Sequence, residues 1–194
     1  MLRKLSIVFF AASIGFTAYA QKTETGFKSG DKFLSGGINF SNEKTGDAKT
    51  STIEFSPSFG YFISNNVAVG LQLGASNSKT KADGVTSEDQ SGFNAYAFSR
   101  FYFTPESRFS IFGHAGLGYG VDNDKLDKVK TTHLSLNVAP GISYFLSDHF
   151  AIESTFGNLG FSSEKTNEEG SEATKNIDFG FNLSTTSFAL IYKF

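Results

Sequence analysis

Hydrophobic and polar residues alternate with a period of two over most of the chain beyond residue 31. This alternation predicts β-strands, because successive side chains of a strand point to opposite faces. The segment Val67–Leu73 carries Val, Val, Leu and Leu on one face and Ala, Gly and Gln on the other. Eight such runs are predicted, at residues 32–40, 52–62, 67–75, 93–103, 109–121, 132–145, 150–161 and 177–194.

The connections between these runs alternate in length, which favours a membrane barrel over a soluble sandwich. Residues 63–66, 104–108 and 146–149 form short connections. The long ones, at residues 41–51, 76–92, 122–131 and 162–176, carry most of the charged side chains. Short turns on one side and long loops on the other are typical of barrels in the outer membrane. We therefore predict an all-β fold, an eight-stranded antiparallel up-and-down transmembrane β-barrel with its short turns in the periplasm.

The sidedness of the strands predicts which face meets lipid. Large apolar side chains share one face and small or polar ones the other, so we expect the bulky face outside and a narrow hydrophilic interior. Glu54, Arg100 and Glu153 all fall on the predicted inner face. Aromatic residues near the short turns and the C-terminus predict an interfacial girdle, namely Tyr61, Phe101, Phe103, Phe109, Tyr144, Phe150, Tyr192 and Phe194.

The alternation changes phase in two places. One lies around residues 157–159, and the other lies in the last run, between Ile177–Leu183 and Phe188–Phe194. A β-bulge at each place would absorb the extra residue. Alternatively, residues 177–183 extend a loop beyond the membrane.

Composition and the N-terminal segment define the compartment. Residues 1–20 combine a basic start, a short apolar stretch and an Ala-Tyr-Ala exit, which predicts a cleaved signal peptide followed by one domain over residues 21–194. The 194 residues have a net charge of −2 and no cysteine. A nucleic-acid-binding protein would be basic, and a thiolate metal site or a disulfide framework needs cysteine.

The signal segment, the eight runs, Phe98–Phe103 before a short turn and the ending Phe188–Phe194 together resemble the outer-membrane β-barrel domain family, of the OmpX and OmpA transmembrane-domain type. The resemblance implies a chain surrounded by outer-membrane lipid and inserted by the barrel-assembly machinery. The terminal aromatic pattern is similar to the signal that this machinery reads, which implies that Phe194 and Tyr192 guide insertion.

The inner face supplies the candidate functional residues. Arg100 and Glu153 each stand four residues beyond a short turn, so we expect them to pair, with Gln72 and His114 joining a polar plug. Glu54 and Asn137 are expected to form a second layer above it. An eight-stranded barrel is just wide enough for side chains to fill, which favours a non-enzymatic monomer without a cofactor, acting as a structural or surface-interaction protein through its long loops.

Two alternatives stay open. The first is a small-solute pore. The second is a lipid A-modifying enzyme, since His133 and Ser135 lie two residues apart on one strand face, as in lipid A deacylases. That family's pair faces lipid, whereas here Leu134 and Leu136 occupy the lipid side, and the rest of its motif is absent from the chain.

Overall fold

The computed structural model describes residues 25–180 and 187–194, and within them every regular element is a β-strand. The predicted signal segment therefore lies outside the described residues. None of the described residues belongs to a helix long and apolar enough to cross a bilayer. The strands are β1 Lys32–Thr45, β2 Ala48–Phe62, β3 Val67–Ala82, β4 Val85–Tyr102, β5 Phe109–Asp124, β6 Lys130–Phe145, β7 Phe150–Thr155, β8 Asn158–Thr166, β9 Thr174–Gly180 and β10 Ser187–Lys193.

These strands close into one antiparallel barrel with eight wall positions. Neighbours from β1 to β6 pair in chain order, and β10 pairs with both β1 and β7. Strands β7 and β8 both pair with β6 and together form the seventh wall strand. Strands β9 and β10 form the eighth, since they pair with β8 and β7 respectively. The predicted eight-stranded antiparallel fold is confirmed.

A bulge separates β7 from β8 at the first predicted phase change. Gly141 pairs with Thr155, whereas Val138 pairs with Leu159. Two residues of β6 therefore face three residues of the seventh wall strand, and Gly157 in this stretch has a φ of 80°. The second phase change lies between β9 and β10 and falls on residues 181–186, outside the described residues.

Two of the four connections predicted as long loops, residues 41–51 and 76–92, are instead strand except at their two-residue turns, and that part of the prediction is wrong. The other two keep non-strand segments at residues 125–129 and 167–173. Strands β1 and β2 pair as far as Thr45 and Ala48, and β3 and β4 pair as far as Ala82 and Val85. Asp83 and Gly84 have φ values of 51° and 77°, as a two-residue type I′ hairpin turn requires. The barrel therefore extends at this end into paired hairpins rather than loose loops.

The outer face is apolar, as the alternation predicts. Side chains such as Ile38, Phe40, Leu71 and Phe188 are more than half exposed in the isolated chain. Apolar side chains so exposed in register around a barrel form a lipid-facing band. The girdle side chains Phe101, Phe103, Phe109 and Tyr144 are exposed on this same outer surface.

Candidate functional site: the lumen and its closed base

Aromatic rings, rather than small polar side chains, fill the lumen near the short turns. Rings from five wall strands and one ring from the segment before β1 are buried there, and we call this set the aromatic floor: Phe27, Phe33, Phe62, Phe98, Tyr102, Phe112 and Phe145. Ring centroids of Phe27 and Phe62 lie 4.5 Å apart, and those of Tyr102 and Phe112 lie 5.0 Å apart. The expectation of a hydrophilic interior is therefore wrong for this half of the barrel.

The sequence does contain a signal for the floor. In Tyr61-Phe62 and Tyr144-Phe145, two aromatic residues are adjacent just before a short turn. Because neighbouring strand side chains point to opposite faces, one member of each pair must enter the lumen. Phe62 and Phe145 are buried, while Tyr61 and Tyr144 are exposed.

Phe27 comes from the segment that precedes the first strand. Its amide donates a hydrogen bond to the Pro105 carbonyl at 2.7 Å, and Lys193 Nζ donates one to the Gly26 carbonyl at 2.6 Å. Gly26 has a φ of 110°, and a Cβ there would lie 2.5 Å from the Pro105 oxygen. The segment thus needs glycine to pass the β4–β5 turn and bring Phe27 into the centre of the base.

Arg100 and Glu153 lie among the upper rings of the floor. Arg100 Nη1 is 2.5 Å from Glu153 Oε2, and the two side chains are only 11% and 3% exposed. Tyr102 Oη donates a hydrogen bond to Glu153 Oε1 at 2.7 Å. The Arg100 guanidinium also lies 4.8 Å from the centroid of Phe98 and 5.3 Å from that of Phe112. The charged pair is therefore joined to the rings by hydrogen bonding and by cation–π contact.

A chain of hydrogen bonds continues upward from Arg100. Arg100 Nε donates to His114 Nδ1 at 3.3 Å, and His114 Nε2 lies 3.2 Å from Tyr96 Oη. Tyr96 Oη in turn donates to Asn137 Oδ1. Since Nδ1 accepts, the imidazole is neutral and carries its proton on Nε2. One network thus joins three strands of the wall.

Above the floor the lumen holds a polar cavity of about 610 Å³. Gln72 lines it together with Ser58, Asn94 and Asn137. The structure therefore brings Arg100, Glu153, His114, Gln72 and Asn137 to one cavity.

Glu54 has a hydrogen-bond partner on a neighbouring strand. Its Oε2 accepts a hydrogen bond from Asn39 Nδ2 at 3.3 Å, and its side chain is exposed. Asn137 instead bonds to Tyr96. Glu54 and Asn137 thus have different hydrogen-bond partners, and the second layer expected from them stays a prediction.

The pattern of the family described as outer membrane protein beta-barrel domain matches residues 6–194. The chain belongs to this outer-membrane barrel family. Membership places the protein in the outer membrane. None of the curated proteins compared with the chain matches it.

Solved structures of other outer membrane proteins superpose on this chain to different extents. OprG from Pseudomonas aeruginosa superposes with a TM-score of 0.51 at 17% identity, covering 87% of this chain and 98% of its own. Neisserial surface protein A superposes with a TM-score of 0.49 at 14% identity, covering 87% of this chain and 99% of its own. Ail from Yersinia pestis gives 0.45 at 16% identity, over 86% and 100%.

The residues expected to guide assembly of this family member lie at the base. Phe194 N donates a hydrogen bond to the Lys32 carbonyl at 3.0 Å, which continues the pairing of β1 with β10. The ring centroids of Tyr192 and Phe194 lie 6.2 Å apart, and Phe194 is exposed on the outer surface. Their role in insertion stays a prediction.

His133 sits at the opposite end of the barrel. Its Nε2 lies 2.7 Å from Asp122 Oδ2, and its Nδ1 lies 3.4 Å from Glu164 Oε1. The ring thus faces carboxylates on both neighbouring strands. A nucleophilic Ser135 would need one of these nitrogens as its base.

Proposed function

We propose that this chain is a non-enzymatic outer-membrane barrel whose lumen does not conduct solutes and whose rigid hairpins act at the cell surface. The observation that carries the proposal is the aromatic floor. Phe33, Phe62, Tyr102, Phe112 and Phe145 are each no more than 1% exposed, which supports a lumen that is closed to solutes at this level. The Arg100–Glu153 pair fills space among these rings.

Planar-bilayer recording tests the absence of conduction. We expect the wild-type protein to give no stable conductance steps. Removing two stacked rings with Phe27→Ala/Phe62→Ala is expected to produce intermittent current. The control Leu71→Ala/Leu73→Ala, which shortens two exposed lipid-facing side chains, should stay silent. Uniform steps from the wild type would support the small-solute pore instead.

The environment of His133 supports a non-enzymatic role. Both of its ring nitrogens face carboxylates rather than Ser135. Lipid A mass spectrometry of cells with and without the protein tests this point. An identical lipid A profile is expected, whereas a loss of acyl chains that disappears in His133→Ala would establish the enzyme.

The hairpins supply the surface for interaction. Binding residues concentrate on exposed segments that a rigid scaffold positions, and here the scaffold itself extends to the turns at residues 46–47 and 83–84. We expect adhesion of cells that express the protein to fall when one hairpin is shortened in register and its turn is kept. If shortening each of the four hairpins in turn leaves adhesion unchanged, the protein has a purely structural role.

A further inference from the structure

The hairpin extensions carry their lysines on one face. Direct antiparallel partners point to the same side of a sheet, and Lys44 pairs with Lys49, which pairs with Lys81. Counting in steps of two from exposed apolar residues such as Phe40 and Ile53 places these lysines on the outer face. The same count gives seven outward lysines, and the ion pair with the outward Asp89 adds Lys125. We call these eight the lysine ring: Lys44, Lys49, Lys79, Lys81, Lys125, Lys130, Lys165 and Lys175.

Acidic side chains of the same extensions take the opposite face. Glu43 pairs directly with Thr50, which pairs with Thr80, which pairs with Glu88. The side chains of Thr50, Thr80 and Glu88 hydrogen-bond to one another inside the barrel. Asp122 and Glu164 face His133 in the lumen. Among the strand residues that the structure describes, Asp89 is the only outward-facing acid. The barrel is therefore positive outside and negative inside at this end.

Most of this outward charge is not neutralised by the protein. Asp89 lies 2.8 Å from Lys79 Nζ and 3.0 Å from Lys125 Nζ. The other six ring lysines make no ion pair within residues 25–180 and 187–194. Like charges directly opposite each other destabilise a sheet, so the row of Lys44, Lys49 and Lys81 calls for an anionic counterpart outside the chain.

Three of the ring lysines stand at the same distance beyond the lipid-facing band. Lys44, Lys49 and Lys130 each lie four residues beyond the last large apolar side chain of their strands, which are Phe40, Ile53 and Leu134. Four residues span about 13 Å along a strand, or about 10 Å along the membrane normal for a strand tilted by about 40°. That height corresponds to the headgroup region of a bilayer, and a lysine stem can reach back toward it.

We propose that the lysine ring binds the phosphate groups of lipid A in the leaflet that surrounds the barrel. Ammonium groups bind phosphates as point charges, and the ring is continuous with the surface that already contacts the acyl chains. The row of Lys44, Lys49 and Lys81 is the strongest part of this site because three unpaired charges lie side by side.

Titration of lipid A against the folded chain in neutral detergent, followed by native mass spectrometry, tests the proposal. We expect Lys44→Gln/Lys49→Gln/Lys81→Gln to weaken binding by about tenfold or more. The charge-conserving variant Lys44→Arg/Lys49→Arg/Lys81→Arg should bind as the wild type does. Raising the salt concentration should weaken lipid A binding by the wild type until it approaches that of the glutamine variant.

Two controls make the result decisive. Lys28→Gln/Lys32→Gln/Arg108→Gln removes the same charge at the short-turn end and should leave binding unchanged. Dephosphorylated lipid A should bind the wild type as weakly as lipid A binds the glutamine variant. Equal binding by the glutamine variant and the wild type, or an equal loss in the short-turn control, would overturn the proposal.

Discussion

Arg100 on β4 and Glu153 on β7 meet across the lumen, with Nη1 2.5 Å from Oε2 and both side chains nearly excluded from solvent. Their burial makes each dependent on the other. Removing one partner of a buried pair leaves an uncompensated charge and costs about 3–5 kcal/mol. The pair thus fixes the spacing of two wall strands that are not neighbours.

We expect Arg100→Ala to lower the free energy of unfolding by about 3–5 kcal/mol, measured by urea titration in vesicles. The double variant Arg100→Met/Glu153→Met should lose less unfolding free energy than Arg100→Ala, because it leaves no unpaired buried charge. Glu54→Gln, which changes an exposed carboxylate, is the matched control. An Arg100→Ala protein as stable as the wild type would show that the pair does not stabilise the barrel.

Gly60 tests how tightly the aromatic floor is packed. A Cβ at this position would overlap the ring of Phe33, which is fully buried among other rings. Gly60→Ala should therefore destabilise the barrel by about 1–3 kcal/mol. Gly113→Ala adds its Cβ where no atom lies within 4 Å and is expected to be neutral in the same unfolding assay. Equal effects would mean that the floor is loosely packed.

Phe27 tests whether the segment before β1 belongs to the folded barrel. Its ring is 1% exposed and packs against Phe62 and Phe145. Phe27→Ala should cost about 3–5 kcal/mol, as large-to-small core substitutions do, and should raise hydrogen exchange at its own amide. Phe103→Ala shortens an exposed girdle ring and should leave that exchange unchanged. Unaltered exchange in Phe27→Ala would show that the segment is held without its ring.

Asp89 gives the hairpin end a pH dependence. Hydrogen bonds from Lys79 and then Lys125 hold the pKa of this carboxyl below its usual value. A lowered pKa in the folded state stabilises the protein above the usual value of about 3.9, and that contribution is lost as the pH falls through the lower folded pKa. The Lys125 amide, which bonds to the Asp89 carbonyl, should lose protection from hydrogen exchange in that acid range.

Asp89→Asn should already show the faster exchange at neutral pH and lose most of the acid dependence. Asp47→Asn changes a carboxylate in the turn between β1 and β2 and should behave as the wild type does. If the acid dependence survives in Asp89→Asn, another group controls the hairpin.

The sequence predicts the strands of the barrel wall better than the packing of side chains in the lumen. Alternation alone places Ile53, Leu71 and Glu153 on their correct faces, because a lipid-facing wall tolerates few exceptions. Alternation of apolar and polar residues does not predict the floor, because Phe33 and Phe112 point inward and yet are as apolar as the residues that face lipid. Adjacent aromatics such as Tyr61-Phe62 are the one local signal.

The hairpin end shows a different limit. Lys49 and Glu88 belong to polar segments that look like loops when hydrophobic alternation is the only criterion. Their strands are stabilised by pairing with neighbours and by the Asp83-Gly84 turn, whose positive φ values mark a hairpin. Partners such as Tyr96 for Asn137 depend on strand stagger, which alternation does not determine.

Closure of the lumen is tested most directly by cysteine labelling, because the chain has no cysteine of its own. Gln72 lines the cavity above the floor, and Ala68 lies four residues below it on the same strand, fully buried. With a membrane-impermeant maleimide, we expect Gln72→Cys to be labelled on intact cells. Ala68→Cys should stay unlabelled both on intact cells and after the reagent is admitted to the periplasm. Labelling of Ala68→Cys from either side would contradict a closed barrel.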